Sequence, residues 1–308
     1  MEVIRGIGNL RDRHRGCVAS IGNYDGVHKG HQTIVAQLKE QGAVLNLPVT
    51  VITFEPHPQE YFRRDQAPRR LTGFREKIMA LREAKVDRVL LLRFGRHLAQ
   101  MSPGEFVQKI LVDGIGVRYL LVGDDFRFGK DRTGDFAFLQ KAAAADGFNV
   151  DRIPTYLVNG DRVSSSRVRA CLAKGDMSGA RELLGRHYTI SGRVVHGDKR
   201  GREWGFPTAN INLERRPPPL TGIFAVRVNG LSQDNSPGVA SLGTRPVVDG
   251  EHLILEVYLF DFNQDIYGKR IAVQFIEKLR DEQDFANVET LKTQIAQDVI
   301  DAKIRLRC

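Results

Sequence analysis

Along the first 184 residues the apolar positions fall into short β-branched runs separated by stretches of helical periodicity, the alternation of a parallel sheet covered by helices. Strands are expected at Val18 to Gly22, Val49 to Phe54, Arg88 to Leu92, Tyr119 to Gly123 and Asn149 to Ile153, with helices beginning near Gly30, Phe74, Pro103 and Thr133. The third helix carries a start signal, because Ser102, Pro103 and Glu105 supply an N-cap, a favourable first position and the acidic half of a capping box. After Leu184 the pattern changes to short strands and tight turns: Thr189 to Val195, Ile223 to Val228, Val239 to Leu242, Leu253 to Phe260 and Arg270 to Phe275, interrupted by Pro217-Pro218-Pro219. That pattern predicts a small antiparallel barrel. A last helix repeats Val288, Leu291, Ile295 and Val299 at spacings of three and four, a stripe able to seal the barrel. The expected fold is thus α/β, a doubly wound parallel-sheet domain over 1–184 followed by a small antiparallel β-barrel with a terminal helix over 185–308.

Composition agrees with two ordinary globular cores: 308 residues, 42% hydrophobic and 27% charged. The formal charge of +9 favours acidic partners, namely nucleic acid, anionic lipid or phosphorylated small molecules. It is unevenly spread, with 29 basic against 21 acidic side chains up to Leu184 and 17 against 16 beyond it. Cys17, Cys171 and Cys308 are too few and too scattered for a disulfide framework or a zinc ribbon. The first thirty residues contain no signal-peptide core, and no apolar run reaches the ~18 residues of a membrane span. A soluble cytoplasmic protein with reduced thiols and no membrane partner is expected.

The first strand ends in Gly22-Asn23-Tyr24-Asp25-Gly26-Val27-His28-Lys29-Gly30-His31 and opens into a helix. Glycines let the backbone approach a ligand, and amides at a helix start attract phosphate oxygens. Two imidazoles three residues apart can donate to a phosphate that gains charge during transfer. A chance pair of surface histidines or half of a metal site are the competing readings, and a Walker loop is excluded because no Gly-Lys-Ser/Thr follows. Thr53-Phe54-Glu55-Pro56-His57-Pro58 ends the second strand, on the edge where parallel sheets bind ligands, although it also reads as a plain rigid loop. Gly123-Asp124-Asp125-Phe126-Arg127-Phe128-Gly129 ends the fourth strand on that edge; its aromatics and arginine suit a planar ring, or the phenylalanines pack in the core. Ser164-Ser165-Ser166-Arg167-Val168-Arg169 gathers hydroxyls and guanidinium groups before a helix.

In the second half, His196-Gly197-Asp198-Lys199-Arg200-Gly201-Arg202 runs into Gly205-Phe206-Pro207-Thr208-Ala209-Asn210. A glycine- and base-rich loop can wrap phosphates, while the Thr208 hydroxyl and Asn210 amide oxygen offer hard ligands for Mg²⁺; a β-turn leading into a strand is the simpler reading. Glu256 decides between them. Both faces of Leu253 to Phe260 are mostly apolar, so a carboxylate there needs a partner such as Arg245 or a task, and the task would be that of a general base in phosphoryl transfer.

Together these segments resemble the bacterial bifunctional riboflavin kinase/FAD synthetase family, in order and over nearly the whole chain. The HxGH-type histidines, the TFEPHP segment, the G-x-D/N-F-x-F-G loop and the serine-arginine segment resemble its adenylyltransferase module. GFPTAN, the Pro217 to Phe224 strand entry, the Gly243 to Pro246 loop, Glu256, Asp265-Ile266-Tyr267-Gly268 and Arg280-Asp281-Glu282 resemble its kinase module. The departures are Tyr24 for phenylalanine, Asp125 for asparagine in several members, Ser166 for threonine, Ile223-Phe224 for Val-Tyr and Val247 for threonine.

The resemblance implies that the barrel phosphorylates riboflavin to FMN and the first domain joins FMN to ATP, giving FAD and pyrophosphate. Glu256 would be the kinase base; Gly197, Lys199, Gly201, Phe206, Pro207, Thr208 and Asn210 would hold MgATP, and Arg280 with Glu256 the flavin. Gly22, Asn23, Asp25, Gly26, His28, His31, Ser164, Ser165 and Arg169 would hold the second ATP. His28, His31 and Arg169 would take the catalytic part, and Phe54, Pro56, His57, Asp125, Phe126, Arg127 and Phe128 would hold FMN. The implied cofactor is Mg²⁺, with ATP, riboflavin, FMN and FAD as substrates and products, and a homo-oligomer is possible. Two rivals stand beside this: a flavin-binding sensor without turnover, and a nucleic-acid binder centred on Arg63, Arg64, Arg69, Arg70 and Arg75. The second lacks interleaved aromatics, and a mobile loop closing over triphosphate accounts for those arginines as well.

Overall fold

The computed structural model describes residues 1–63, 66–197, 201, 204–213, 217–232, 234–247 and 250–308, with backbone alone over 244–253. The chain divides into two compact units, Met1–Pro68 with Lys77–Ser164, and Arg69–Glu76 with Ser165–Cys308.

The first unit is built on six parallel strands, β1 (Glu2–Arg5), β2 (Cys17–Ile21), β3 (Val49–Glu55), β4 (Arg88–Arg93), β5 (Val117–Gly123) and β6 (Asn149–Ile153), in the order β1-β4-β3-β2-β5-β6. The order reverses at β2, whose five residues are all buried, and ligands bind at such a switch point. Helix α1 (Lys29–Leu45) follows β2 directly. Helices α2 (Pro58–Arg63), α3 (Phe74–Glu83), α4 (Arg96–Gln100), α5 (Pro103–Phe106, continued as a wider turn through Val112) and α6 (Phe136–Asp146) complete the connections. The capping box expected at Ser102 is present: its hydroxyl accepts from the Glu105 amide, and Glu105 accepts from the Ser102 amide. The helix expected near Thr133 starts at Phe136, because Asp135 supplies the cap, accepting from the Phe138 amide at 2.9 Å. Strand β1 has four residues and no sequence signal of its own; it pairs parallel with β4 at the sheet edge. A short hairpin of β7 (Leu157–Val158) and β8 (Asp161–Arg162) stands apart from the sheet.

The second unit holds helices α7 (Ser165–Ala173) and α8 (Met177–Leu184) and a closed barrel. The barrel strands are β9 (Tyr188–Val195), β10 (Thr208–Asn212), β11 (Gly222–Asn229), β12 (Ser236–Val247), β13 (Gly250–Leu259) and β14 (Arg270–Arg280), closed in the order β10-β13-β12-β11-β14-β9. Alternation along each strand sends Phe224, Val226, Ala240, Leu242, Leu255, Val257, Val273 and Phe275 inside, all with no exposed surface. Gly243 to Pro246, read above as a loop, continues β12 in register with β13, Gly243 opposite Ile254 and Pro246 opposite Glu251.

The terminal helix α9 (Val288–Leu306) lies along the outer wall, where Val299, Ala302 and Leu306 pack on Ile223, Ala225, Val239 and Phe260. Val288, the first residue of the expected stripe, is exposed. Segment Arg69–Glu76 is anchored in this unit: Ser191 donates its amide to Glu76, the Arg69 guanidinium donates to the Pro218 carbonyl, and Arg169 Nε donates to the Arg69 carbonyl at 2.6 Å. Arg69 thus bonds through both its guanidinium and its carbonyl; Arg64 lies outside the described residues.

Candidate functional sites

In the first unit the chain turns from β2 into α1 through a strained loop. Tyr24 and Val27 take φ of 49° and 42°, conformations unusual for any side chain and costly for a β-branched one. The loop is held by Gln32, which donates to the Val27 carbonyl at 2.8 Å, and by Thr53 at the end of β3, which donates to the Asn23 carbonyl at 3.2 Å. Asp25 and His28 are buried within it. His28 caps the helix, its Nδ1 accepting from the His31 amide at 3.4 Å. The two imidazoles stack at 3.8 Å and 14°, and Tyr24 lies on the other side of His31 at 4.7 Å. Burial, then the facing His28 and the nearby Lys77, hold the His31 pKa well below its ordinary 6.5, so the ring is neutral. Its Nδ1 has no hydrogen-bond partner among the described residues.

The other segments of this unit lie at the ends of β3 and β5. Phe54 closes β3, the Glu55–Pro56 bond is cis, and His57 Nδ1 accepts from the Gln59 amide. Phe54, Tyr61, Phe62 and Phe94 form an aromatic group with ring centroids 5.3 to 5.8 Å apart, and Phe62 is exposed. Sequence reading missed three of these rings, because Tyr61 and Phe62 lie on α2 and Phe94 follows β4, outside the Thr53 to Pro58 segment. Past β5, Phe128 is in the core against Phe106 and Phe138, so of the pair only Phe126, stacked on it at 5.5 Å, retains exposed surface. Arg127 pairs with Asp135 at 3.2 Å. The charge of Asp125 is met by Arg162 at 2.8 Å, a partner the sequence did not single out. Ser164 ends this unit, whereas Ser165 and Arg169 begin α7 in the other.

In the second unit the outer wall of the barrel and α9 enclose a cavity of about 650 Å³. Register places Asn210 on β10 and Ser241 on β12 directly opposite Glu256 on β13, so the three side chains form a row on one face. Thr208, Tyr258 and Val239 form the next row, and both rows line the cavity. Gly201 and Phe206 line it as well, joined by a 2.7 Å bond from the Phe206 amide to the Gly201 carbonyl. Phe206 meets Tyr258 edge-on at 5.5 Å. Gly197 is described but does not line the cavity; Pro207 leads into β10; Lys199 and the Arg245 side chain lie outside the described residues. Arg280 lines the far wall, gripped by Asp298 of α9, with Nε on Oδ1 at 2.8 Å and Nη2 on Oδ2 at 2.7 Å. Trp204, Phe285 and Asp298 are lining residues that sequence reading missed. Phe224, one of the departures from the resemblance, is fully buried and does not line the cavity.

A parallel-sheet unit with a histidine-led helix start, and a barrel unit whose cavity has a carboxylate in its wall, define a two-part nucleotide-handling class. A family model described as FAD synthetase matches residues 10–167, and one described as riboflavin kinase matches residues 184–306. The chain belongs to the bifunctional riboflavin kinase/FMN adenylyltransferase family. Curated members from Pseudomonas fluorescens and Escherichia coli K12 are 51% and 48% identical over 304 residues, each alignment covering 98% of this chain and 97% of theirs. A solved Streptococcus pneumoniae structure, described as a macrolide-efflux protein, matches with a TM-score of 0.84 at 29% identity, covering 96% of this chain and 97% of its own. Among the described residues of the present chain no helix is long and apolar enough to cross a membrane.

Proposed function

We propose that the chain performs both reactions of its family, with 185–308 as the riboflavin kinase and 1–184 as the FMN adenylyltransferase. The observation that carries the kinase half is the row Asn210–Glu256–Ser241 facing a cavity large enough for a flavin. Glu256 accepts the proton of the ribityl 5′-hydroxyl as that oxygen attacks the γ-phosphorus of ATP, and ADP leaves. The Thr208 hydroxyl and the Asn210 amide oxygen, beside the Glu256 carboxylate, make a hard donor set. Thr208 and Asn210 would therefore hold Mg²⁺, which when bound offsets phosphate charge. Gly201 and Phe206 position the nucleotide, and Arg280 the flavin.

In the other half the FMN phosphate, already a nucleophile at neutral pH, attacks the α-phosphorus of ATP and pyrophosphate leaves. His28 and the neutral His31 stacked on it donate hydrogen bonds to the phosphate oxygens as charge builds there. Phe54 and Phe126 offer ring faces to the flavin. The substrates and the three free cysteines, of which Cys17 is buried with its pKa pushed up to about 11, fit a cytoplasmic setting.

Incubating the purified chain with riboflavin, ATP and Mg²⁺ and separating the flavins tests this: both FMN and FAD are expected, and no flavin nucleotide would end the enzyme reading. Glu256→Ala should abolish FMN formation yet still convert supplied FMN to FAD, and His28→Ala should do the reverse. Loss of both activities in both folded variants would contradict separate sites.

A further inference from the structure

The described lining of the kinase cavity is rich in carboxylates for a site that releases a phosphorylated product. Its charged residues among those described are Glu256, Arg280, Glu282 and Asp298, three carboxylates to one guanidinium. Arg280, the cation among the described lining residues, is already engaged. Arg280 gives Nε and Nη2 to the buried Asp298 carboxylate and Nη1 to the Asp281 carbonyl at 3.0 Å, while Gln294 donates to the same carboxylate at 3.0 Å. A guanidinium has five N–H groups, so two remain for a ligand, in a plane fixed by three bonds and set 5.7 Å over the Phe285 ring. Glu282 sits over Gly243 on β12, so close that a Cβ there would overlap its carboxylate.

Resting on the kinase reading above, we propose that Asp298 is a specificity-determining residue: it neutralises and aims Arg280, leaving a wall that accepts uncharged riboflavin and disfavours FMN, its dianionic product. Two fixed N–H groups with little net charge suit the carbonyl oxygens of a neutral flavin. A bare guanidinium would instead attract phosphate and retain product. Burial raises the Glu282 pKa despite Arg280, and a cavity that penalises a carboxylate penalises a phosphate dianion for the same reason. ATP arrives with its own cation, so the charge balance bears on the flavin.

The test is Asp298→Asn in the full chain, followed by initial rates of label transfer from γ-labelled ATP into flavin, with and without added FMN. The FMN inhibition constant should fall at least about threefold, the size expected for one unit of charge at cavity distances, and the riboflavin KM should rise at least about threefold because the Arg280 guanidinium loses the ionic contact that aims it. A purely structural role would weaken both flavins together, so an FMN inhibition constant that stays level or rises overturns the proposal. Should that variant fail to fold, Glu282→Gln makes the same charge change without touching the α9 contact; it too must lower the FMN inhibition constant, and an unchanged value overturns the proposal. If the wild-type chain makes no FMN, the kinase reading falls and takes this inference with it.

Discussion

His31 shows how a residue's chemistry is set by its neighbours. The HxGH spacing was legible because one helix turn brings positions 28 and 31 to the same end, but the third ring of the stack, Tyr24, arrives only through a backbone turn at positive φ. The depressed pKa makes a prediction about pH. In the unfolded chain His31 takes up a proton near its ordinary 6.5, whereas in the folded unit it stays neutral well below that. The unfolded state thus binds more protons across this window, and stability conferred above pH 6.5 is lost progressively as pH falls toward the folded pKa. Denaturant unfolding of the first unit, followed from pH 7.5 downward at about half-unit steps, should show a slope that shrinks in His31→Gln; an unaltered slope would mean that other groups govern it. Pairings between distant positions were not legible. Asp298 is 18 positions from Arg280, and Arg162 is 37 from Asp125, so neither partner carries a local signal.

At the scale of elements, periodicity located the long runs and failed where context decides. The five expected parallel strands are present; two-sided burial forces the continuous apolar runs of β2 to β5, whereas β6 is an edge strand with three of its five residues exposed. Strand β1 was missed because four edge residues form no pattern, and β12 runs on through Gly243 to Pro246 because its pairing with β13 outweighs local turn chemistry. Helix α9 covers the wall, where one stripe of the barrel exterior is apolar at Ile223, Val239 and Phe260. Barrel closure between β9 and β10 depends on Gly192, where a Cβ would lie 2.3 Å from the Ile211 side chain and 2.5 Å from the Asn212 carbonyl oxygen. Backbone cannot retreat there without opening the ladder, so Gly192→Ala should cost about 2 kcal/mol or more. The kinase should lose its thermal midpoint before the adenylyltransferase does; equal midpoints would show that the β9–β10 seam has slack.

At the scale of the molecule, the charge count changes meaning once the fold is known. Divided at Leu184 the net charge is +8 and +1, which places the excess with the half that binds two anions. The compact units divide differently: Arg69, Arg70, Arg75, Arg167, Arg169, Lys174 and Arg181 belong to the barrel unit, so the units carry net charges of +4 and +5. Net charge of a unit then cannot explain which flavin it prefers, and the local lining must. These two accounts respond oppositely to salt. Raising ionic strength from about 0.1 M to about 1 M shortens the screening length from ~10 Å to ~3 Å. If the unit's overall +5 attracted FMN, inhibition of the kinase by FMN would weaken as salt is added. The acidic lining around Asp298 predicts the reverse: salt screens the repulsion, FMN inhibits more strongly, and the riboflavin KM barely moves because riboflavin is uncharged. Initial-rate measurements at the two salt levels, with ATP and Mg²⁺ saturating at each, read this directly, and FMN inhibition that weakens would return the explanation to net charge.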